Sequence, residues 1–337
     1  MSEKIIRCGV IGYGGAFNMG KAHLGWIKAT PGMGPVAACD KDPSRMEAAA
    51  KDYPGIKTFT DYKQMLKDPD IDLVVCILPH NLHCPAVLDI LRAGKHAVTE
   101  KPMCINVKEA DAMIAEAKKQ KKMFSPFHNR RWDGDHLAMM GVIKSGDIGE
   151  LVGIVSFPMG SLLHTHSHTW DLMMWLADSE PEWVQGWLWG EGYDPTADVV
   201  TEDPCGGGRI HMRNGMDAYS VGQPGSALHY EHEMMCTKGT LRAINNNSDF
   251  EMRVLPPEGK WHQLQRVPFP EFERKSSTLM AVTDLVNGVT KGTPTRNNAR
   301  VGRWAIEIAF GLLESHNANG ARVELPLKRR DRRIVSR

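Results

Sequence analysis

Short apolar runs and helical segments alternate through the first 127 residues of the chain. Ile5–Ile11, Asp72–Leu78 and His96–Thr99 have the length and composition of buried strands. Helices are predicted over Pro43–Ala50, Cys84–Ala93 and Val107–Lys121. Such alternation is typical of an α/β domain with a parallel, doubly wound sheet, the Rossmann arrangement. We therefore predict one domain over residues 1–127.

The pattern changes after about residue 128. A helical segment comes first, and strand-like runs such as Leu151–Phe157, Trp183–Trp187, Leu228–Met235 and Thr240–Ala243 then dominate. The simplest arrangement is an α+β domain with a large, mostly antiparallel, open sheet and helices on one face. A chain of 337 residues is long enough for two cores, so a second domain is predicted over 128–337.

Composition argues against several partners. A net charge of +1 provides no field for nucleic acid or a charged membrane, and no apolar run approaches the ~20 residues of a membrane span. The segment Met1–Lys4 does not open a secretory signal, and seven cysteines without a C-x-x-C pair suit a reducing compartment. We expect a soluble, cytoplasmic protein that binds neither nucleic acid nor membrane, and we interpret the basic run Lys328–Arg333 as a solvated tail.

A glycine turn follows the first predicted strand. Gly12 and Gly14 form a tight turn that lets the main chain approach a pyrophosphate, and the next helix presents free N–H groups to it. The following loop, with Gly15 and Asn18, is longer than the usual fingerprint. Asp40 ends the second strand, where a carboxylate accepts from the ribose hydroxyls of NAD. NAD is the predicted cofactor, and NADP stays open because Lys41 and Arg45 are basic.

Lys101 stands at the end of a strand, between Glu100 and Pro102. Proline disfavours helix at the preceding residue, and the carboxyl ends of parallel strands are where such sheets bind ligands. A lysine beside a cationic nicotinamide would have a lowered pKa and is a candidate proton carrier.

Every second residue from His164 to His168 is a histidine (His164, His166 and His168), and Asp171 follows. Apolar residues continue at helical spacing, so a helix is predicted from about His166, with Asp171 one turn from His168. Asp171 then holds a substrate hydroxyl or sets the tautomer of His168. A zinc site is the rival interpretation. We predict no metal, because clustered histidines commonly serve hydrogen bonding.

A basic and aromatic segment lies at the predicted domain junction. Arg130 and Arg131 are candidates to hydrogen-bond a carboxamide or sugar hydroxyls, and Trp132 is a candidate to stack on a sugar. An interdomain salt bridge is an equal alternative for Arg130.

The ordered set of motifs resembles the glucose–fructose oxidoreductase, inositol dehydrogenase and MocA family (Gfo/Idh/MocA). The motifs, besides the Gly12 turn, are Pro79-His80-Asn81-Leu82-His83, Ala93-Gly94-Lys95-His96, Glu100-Lys101-Pro102, Asn129-Arg130-Arg131, Ser145 to Glu150, His168-x-x-Asp171 and Val323-Glu324-Leu325-Pro326. The resemblance implies a Rossmann domain and a second domain that binds substrate and often forms the oligomer interface through its sheet. It also implies NAD(P)-dependent oxidation or reduction of sugars and polyols.

The resemblance also implies roles for single residues. Lys101 and His168 take the catalytic positions, and His83 lies near the nicotinamide, with Pro79, His80, Glu100 and Arg130 also on the cofactor side. Pro102 follows a cis bond. Where members of the family often have an aspartate, this chain has His164, so its contact with substrate is expected to differ.

We therefore predict an enzyme, an NAD-dependent dehydrogenase acting on a secondary hydroxyl of a sugar, glycoside or cyclic polyol. A homo-oligomer, dimer or tetramer, is expected. The alternatives are an NAD-dependent glycosidase that oxidises its sugar only transiently, and a non-catalytic sugar or dinucleotide sensor.

Overall fold

The computed structural model describes residues 5–14, 18–191, 193–258 and 263–335. They form two compact units. One runs to Asn129 and includes Ser276–Arg303, and the other comprises Arg130–Lys275 and resumes at Trp304. The first unit thus takes in a stretch that follows the predicted boundary, and the assignment of functional domains to 1–127 and 128–337 stays a prediction.

The first unit is built on a six-stranded parallel sheet with strand order β3-β2-β1-β4-β5-β6. Its strands are β1 (Ile6–Ile11), β2 (Met33–Cys39), β3 (Lys57–Phe59), β4 (Leu73–Cys76), β5 (His96–Thr99) and β6 (Phe124–Pro126). Its helices are α1 (Met19–Ala29), α2 (Pro43–Asp52), α3 (Tyr62–Met65), α4 (His80–Arg92), α5 (Val107–Gln120) and, from later in the chain, α8 (Ser277–Lys291). The predicted doubly wound sheet is confirmed, and its order reverses between β1 and β4.

Local signals in the sequence account for most helix starts in this unit. The Asp42 carboxylate accepts a hydrogen bond from the Ser44 N–H at 3.0 Å, and Asn106 accepts from the Glu109 N–H at 2.7 Å. Helices α1 and α4 begin without a side-chain cap, and α4 begins at His80 rather than at the predicted Cys84. The difference places His80 and His83 in its first turn.

The second unit contains a nine-stranded sheet with the order β15-β14-β13-β12-β7-β11-β10-β8-β16. Its strands are β7 (Leu151–Phe157), β8 (Pro181–Trp189), β10 (Cys205–Met212), β11 (Asp217–Ser220), β12 (Glu231–Cys236), β13 (Gly239–Ile244), β14 (Asp249–Val254), β15 (Gln265–Val267) and β16 (Val323–Glu324). Neighbouring strands in the described part are antiparallel except β7 and β11, so the mostly antiparallel sheet is confirmed. A 3-10 turn (Asn129–Trp132) and helices α6 (Gly134–Ser145), α7 (His166–Ala177) and α9 (Ala299–Asn317) complete the elements.

One row of cross-strand partners forms the buried face of this sheet. The row is Val184, Ile210, Ala218, Ile154, Met234 and Leu241, in the order in which they pair, and all six are fully buried. Because side chains alternate along a strand, their neighbours point to the opposite face. That face carries Trp187 and Tyr219, which are 50% and 37% exposed.

The residues of the basic run Lys328–Arg333 are exposed except Arg332, which is not solvated as predicted. Arg332 is 2% exposed, pairs with Glu314 at 2.9 Å and donates to the Ala197 carbonyl. The next residues form β17 (Arg333–Ile334), which pairs with β9 (Val199–Val200). The arginine supplies several donors to main-chain carbonyls, a role that the charge pattern alone does not reveal.

Two observations bear on the environment of the chain. None of the described helices combines the length and apolarity of a membrane span. All seven cysteines are free thiols, and five of them are buried.

Candidate active site

The chain leaves β1 through a glycine turn that lies against the end of β4. Gly12 has a φ of +90°, and a Cβ there would lie 1.9 Å from the Ile77 carbonyl oxygen. A Cβ on Gly20 would lie 2.1 Å from the Gly12 carbonyl oxygen. Both positions therefore require glycine, and the turn has no side chain at Gly12 that would block a ligand. Asn18 precedes α1 in a left-handed conformation, and Gly15 lies outside the described residues.

Asp40 is held against this turn by three contacts. Its carboxylate accepts from the Gly14 N–H at 3.2 Å and the Asp42 N–H at 3.1 Å, and it pairs with Arg45 at 3.3 Å. The Arg45 side chain also packs against Gly14. A Cβ on that glycine would lie 2.6 Å from the arginine Cδ. The Asp40 carboxylate, which is predicted to bind ribose, thus lies beside the glycine turn. It is already paired with the Arg45 guanidinium.

The end of β4 leads into α4 through Pro79, the residue that precedes the helix. His80 and His83 are buried in the first turn, with ring centroids 5.7 Å apart. The ring of His83 contacts two main-chain carbonyls, of Pro102 at 2.9 Å and of Leu78 at 2.7 Å. A direct bond from this ring to a cofactor would therefore replace one of those contacts.

The predicted proton carrier Lys101 follows β5, and its bond to Pro102 is cis, as the resemblance implied. Glu100 accepts from the Lys101 N–H at 3.2 Å and bonds the buried His23 ring at 2.8 Å. Burial raises the pKa of Glu100, but the hydrogen bond and charge interaction with His23, together with Lys101, outweigh it and lower the pKa overall. Glu100 is thus an ionised carboxylate that fixes the main chain of Lys101.

The histidine segment begins in the second unit, just before α7. Asp203 accepts from the Leu163 N–H at 2.9 Å and the His164 N–H at 2.8 Å, which fixes the chain where the helix starts. The helix runs from His166, as predicted. His166 itself is fully buried, and burial lowers its pKa to about 3, so its ring is neutral. His168 lies in the first turn of α7.

Asp171 and Arg131, both predicted to bind substrate, form a buried ion pair. The Arg131 Nε donates to Asp171 Oδ2 at 2.8 Å, and its Nη2 donates to the Asp171 carbonyl at 3.0 Å. The side chains are 6% and 1% exposed. The second carboxylate oxygen, Oδ1, is buried and has no hydrogen-bond partner in the described structure. It is the oxygen still able to accept from His168 or from a substrate hydroxyl.

Arg130 stacks on an aromatic ring within the same unit. Its guanidinium lies 4.1 Å from the centroid of the Tyr230 ring, and Tyr230 donates to the Thr165 carbonyl at 3.4 Å. Tyr230 has a φ of +49°, which is uncommon for an aromatic residue. Trp132 is buried, at 4% exposed.

Sequence reasoning missed His23, Asp203 and Tyr230. Each acts through a partner far away in the sequence: Glu100 for His23, the main chain of Leu163 and His164 for Asp203, and Arg130 for Tyr230. Tyr230 was assigned to a strand from Leu228, but β12 begins at Glu231. No local pattern in the sequence marks these contacts.

One cluster of potential metal ligands occurs among the described residues, and it is not the histidine segment. Asp133, Asp135 and His136 lie together at the start of α6. Arg130 pairs with Asp133 at 3.6 Å, and Arg274 pairs with Asp135 at 3.5 Å. The carboxylates are thus already balanced by guanidinium groups.

Comparison with known proteins gives a match for the parallel-sheet part of the first unit. Residues 6–128 match the profile of the Gfo/Idh/MocA oxidoreductase family, described as its NAD-binding Rossmann fold. The matched segment runs from the start of β1 to just beyond β6. The resemblance stated from the motifs is therefore confirmed, and NAD is the cofactor type of the domain.

Curated relatives share only part of their length with this chain. An uncharacterized oxidoreductase of Escherichia coli, YdgJ, is 37% identical over 151 residues, which are 45% of this chain and 42% of that protein. The scyllo-inositol 2-dehydrogenase (NADP(+)) IolW of Bacillus subtilis is 32% identical over 108 residues, 32% of this chain and 30% of that protein. The match thus spans less than half of each of these proteins.

Solved structures extend the likeness in fold to the whole chain. The WlbA dehydrogenase from Bordetella pertussis, in complex with NADH and UDP-GlcNAcA, is 19% identical with a TM-score of 0.77. The alignment covers 96% of this chain and 100% of that one. At this identity the likeness shows a shared fold over both units.

Proposed function

We propose that the protein is an NAD-dependent oxidoreductase that takes a hydride from the carbon of a secondary hydroxyl in a sugar, glycoside or cyclic polyol. One observation carries the proposal. The Gly12 turn, Asp40 and Lys101 follow β1, β2 and β5, whose carboxyl ends lie at the same edge of one parallel sheet. Ligands of such sheets bind at that edge, where the strand order reverses.

The residues of the first unit fit a dinucleotide. The open main chain at Gly12 and the start of α1 near Asn18 would hold the pyrophosphate, and Asp40 would accept from the adenosine ribose. The nicotinamide side is assigned to residues that follow β4 and β5, namely Pro79, His80 and Glu100. Bound NAD supplies the hydride acceptor.

The side chains of this protein handle the proton. We assign Lys101 or His168 to remove the hydroxyl proton as the C–H bond breaks. Arg131 holds Asp171 one turn from His168, so that Asp171 Oδ1 can orient the imidazole or a substrate hydroxyl. His164, Arg130 and Trp132 are assigned to the substrate side.

A panel of sugars, glycosides and cyclic polyols, read at the NADH absorbance band, tests the proposed function. A dehydrogenase accumulates NADH in proportion to the substrate consumed. Release of an aglycone without net NADH would indicate the glycosidase, and saturable sugar binding without either product would indicate the sensor.

The first prediction concerns the choice of cofactor. Asp40→Ser is expected to weaken NAD binding about tenfold, since two ribose hydroxyls lose a charged acceptor. It should strengthen NADP binding, because Arg45 loses its pair with Asp40, and Arg45 and Lys41 can then meet a 2′-phosphate without that carboxylate. Isothermal titration calorimetry with each dinucleotide measures both constants.

Arg45→Ala in the Asp40→Ser background is the matched control, and it should remove the gain for NADP. Tighter binding of NADP than of NAD by the wild-type protein would contradict the assignment. The name of the B. subtilis relative, which specifies NADP(+), makes this comparison necessary.

We also propose a homo-oligomer, a dimer or tetramer, formed through the open face of the nine-stranded sheet. Trp187 and Tyr219 are exposed on that face, and aromatic residues are enriched in protein interfaces. Light scattering should give the wild-type protein a mass of at least two chains. The double variant Trp187→Glu with Tyr219→Glu should have the mass of one chain. A single-chain mass for the wild type would contradict the proposal.

A further inference from the structure

We propose that Tyr13 is a positioning residue for the dinucleotide. Its hydroxyl ties the glycine turn to the end of α2 through Asp52, and so holds the turn in the shape that receives the pyrophosphate. The inference concerns the binding of NAD. It rests on the place proposed above for the pyrophosphate, and not on the proposed oxidation of a sugar.

The argument starts from the residue between the two glycines of the turn. Tyr13 is 3% exposed, whereas Gly12 and Gly14 have no side chain that could anchor them. Glycine also loses more conformational freedom on folding than any other residue. The Gly14 N–H is held by Asp40, and Tyr13 supplies the anchor that a side chain makes.

The Tyr13 hydroxyl contacts the last residue of α2. It donates to Asp52 Oδ2 at 2.5 Å, and the Lys21 amine lies 2.9 Å from the same oxygen. Burial and this hydrogen bond raise the pKa of Tyr13, and the hydrogen bonds from Lys21 and Tyr13 lower the pKa of Asp52. At neutral pH the bond therefore runs from a neutral hydroxyl to an ionised carboxylate, which is the stronger, charge-assisted kind.

The start of α1 belongs to the same network. The Lys21 N–H donates to the Tyr13 carbonyl at 3.1 Å, and a Cβ on Gly20 would lie 2.5 Å from the Tyr13 Cα. At the end of α2, the Tyr53 hydroxyl donates to the Lys21 carbonyl at 3.0 Å. The glycine turn, the first turn of α1 and the end of α2 are thus joined around Tyr13. The first two of these are assigned to the pyrophosphate.

The charges in this network are placed against the preference of their own helices. Asp52 ends α2, and Lys21 is the third residue of α1, so each charge lies at the helix end that the macrodipole disfavours for it. Each is compensated by the other instead. Local rules are broken in this way mainly at functional sites, where the gain lies elsewhere. Here the gain is the anchor for Tyr13.

Tyr13→Phe removes the hydroxyl alone and is expected to act on the free protein. Without the anchor, the two glycines let the turn adopt other conformations, and the apparent Kd rises by the inverse of the fraction that stays competent. We expect the Kd for NAD and for ADP-ribose, which both carry the pyrophosphate, to rise about 5- to 10-fold. The Kd for adenosine, which lacks the pyrophosphate, should stay the same.

Tyr62→Phe is the matched control. Tyr62 also donates to an aspartate of the same unit, Asp89, at 2.9 Å, but this bond joins α3 to α4. The control should leave the Kd values of all three ligands unchanged. Isothermal titration calorimetry, with competition for adenosine, measures them without any sugar. An unchanged Kd for NAD in Tyr13→Phe would overturn the proposal, as would a rise that Tyr62→Phe shares or that adenosine shows equally.

A second pair of variants tests the same bond from the side of the acceptor. Asp52→Asn and Asp52→Leu both remove the charge that faces Lys21, but only asparagine keeps an oxygen for the Tyr13 hydroxyl. We expect the Kd for NAD to be at least about fivefold higher in Asp52→Leu than in Asp52→Asn. Equal values in the two variants would show that the hydroxyl bond does not hold the turn, and the proposal would be wrong.

The Asp40→Ser variant separates this inference from the proposed place of the dinucleotide. If Asp40→Ser weakens NAD binding and Tyr13→Phe does not, the anchor is wrong and the place of the dinucleotide stands. If neither variant weakens NAD binding, both proposals are wrong. We expect both variants to weaken it.

Discussion

Lys101→Ala is expected to lower kcat by about 100- to 10,000-fold, the range that a positioned general acid or base contributes. The expected Kd of NAD changes little, because Asp40 and the Gly12 turn are assigned to the rest of the dinucleotide. The cis bond to Pro102 and the Glu100 contact to the Lys101 N–H involve the main chain, so both can persist in the alanine variant. Stopped-flow and steady-state NADH formation separate the effect on chemistry from an effect on binding.

Lys108→Ala is the control for this substitution. Lys108 is exposed and lies in the first turn of α5 in the same unit, so its removal should leave kcat unchanged. His168→Ala should show a loss of the same order as Lys101→Ala. Wild-type turnover in both the Lys101 and His168 variants would show that the chemistry has been assigned to the wrong groups.

Arg131→Met is expected to destabilise the protein by about 3–5 kcal/mol, because it leaves the Asp171 carboxylate buried without its counter-ion. Both side chains of the pair are almost completely buried, so solvent cannot replace the guanidinium. Equilibrium urea unfolding, followed by tryptophan fluorescence, measures the loss. The same variant should reduce kcat as well, since α7 carries both Asp171 and His168.

The double variant Arg131→Met with Asp171→Leu separates the two effects. Replacing both charges by apolar groups should restore much of the stability, because no unpaired charge is left inside. Activity should stay low, because Asp171 Oδ1 is gone. Lys275→Ala removes an exposed pair with Glu273 and should cost only about 0–1 kcal/mol. If Arg131→Met also lowered the free energy of unfolding by only about 0–1 kcal/mol, the buried-pair interpretation would be contradicted.

Much of the first unit was predictable because its signals are local. The apolar runs of β1 and β4 mark strands buried on both faces, and Asp42 caps α2 as its sequence position indicates. The start of α4 was placed too late, since His80 and His83 read as part of a loop. The ring of His83 contacts the Leu78 and Pro102 carbonyls, which follow two strands, and no periodicity encodes those contacts.

The site was predictable as a set of residue types and not as a set of contacts. The sequence indicated that Asp40 follows a strand, but not that Arg45 already pairs with it. It indicated Arg131 and Asp171 separately as substrate ligands, and the structure joins them in one buried ion pair. Arg332 in the basic run was misread for the same reason, because the Ala197 carbonyl that accepts from it lies 135 positions away in the sequence.

A crystal structure of the protein with NAD⁺ tests the central proposal most directly. We predict that the pyrophosphate lies on the Gly12 turn, that Asp40 accepts from the adenosine ribose, and that the amine of Lys101 and the imidazole of His168 both face the substrate side of the nicotinamide C4. A dinucleotide bound elsewhere, or either of those two groups directed away from the ring, would contradict it.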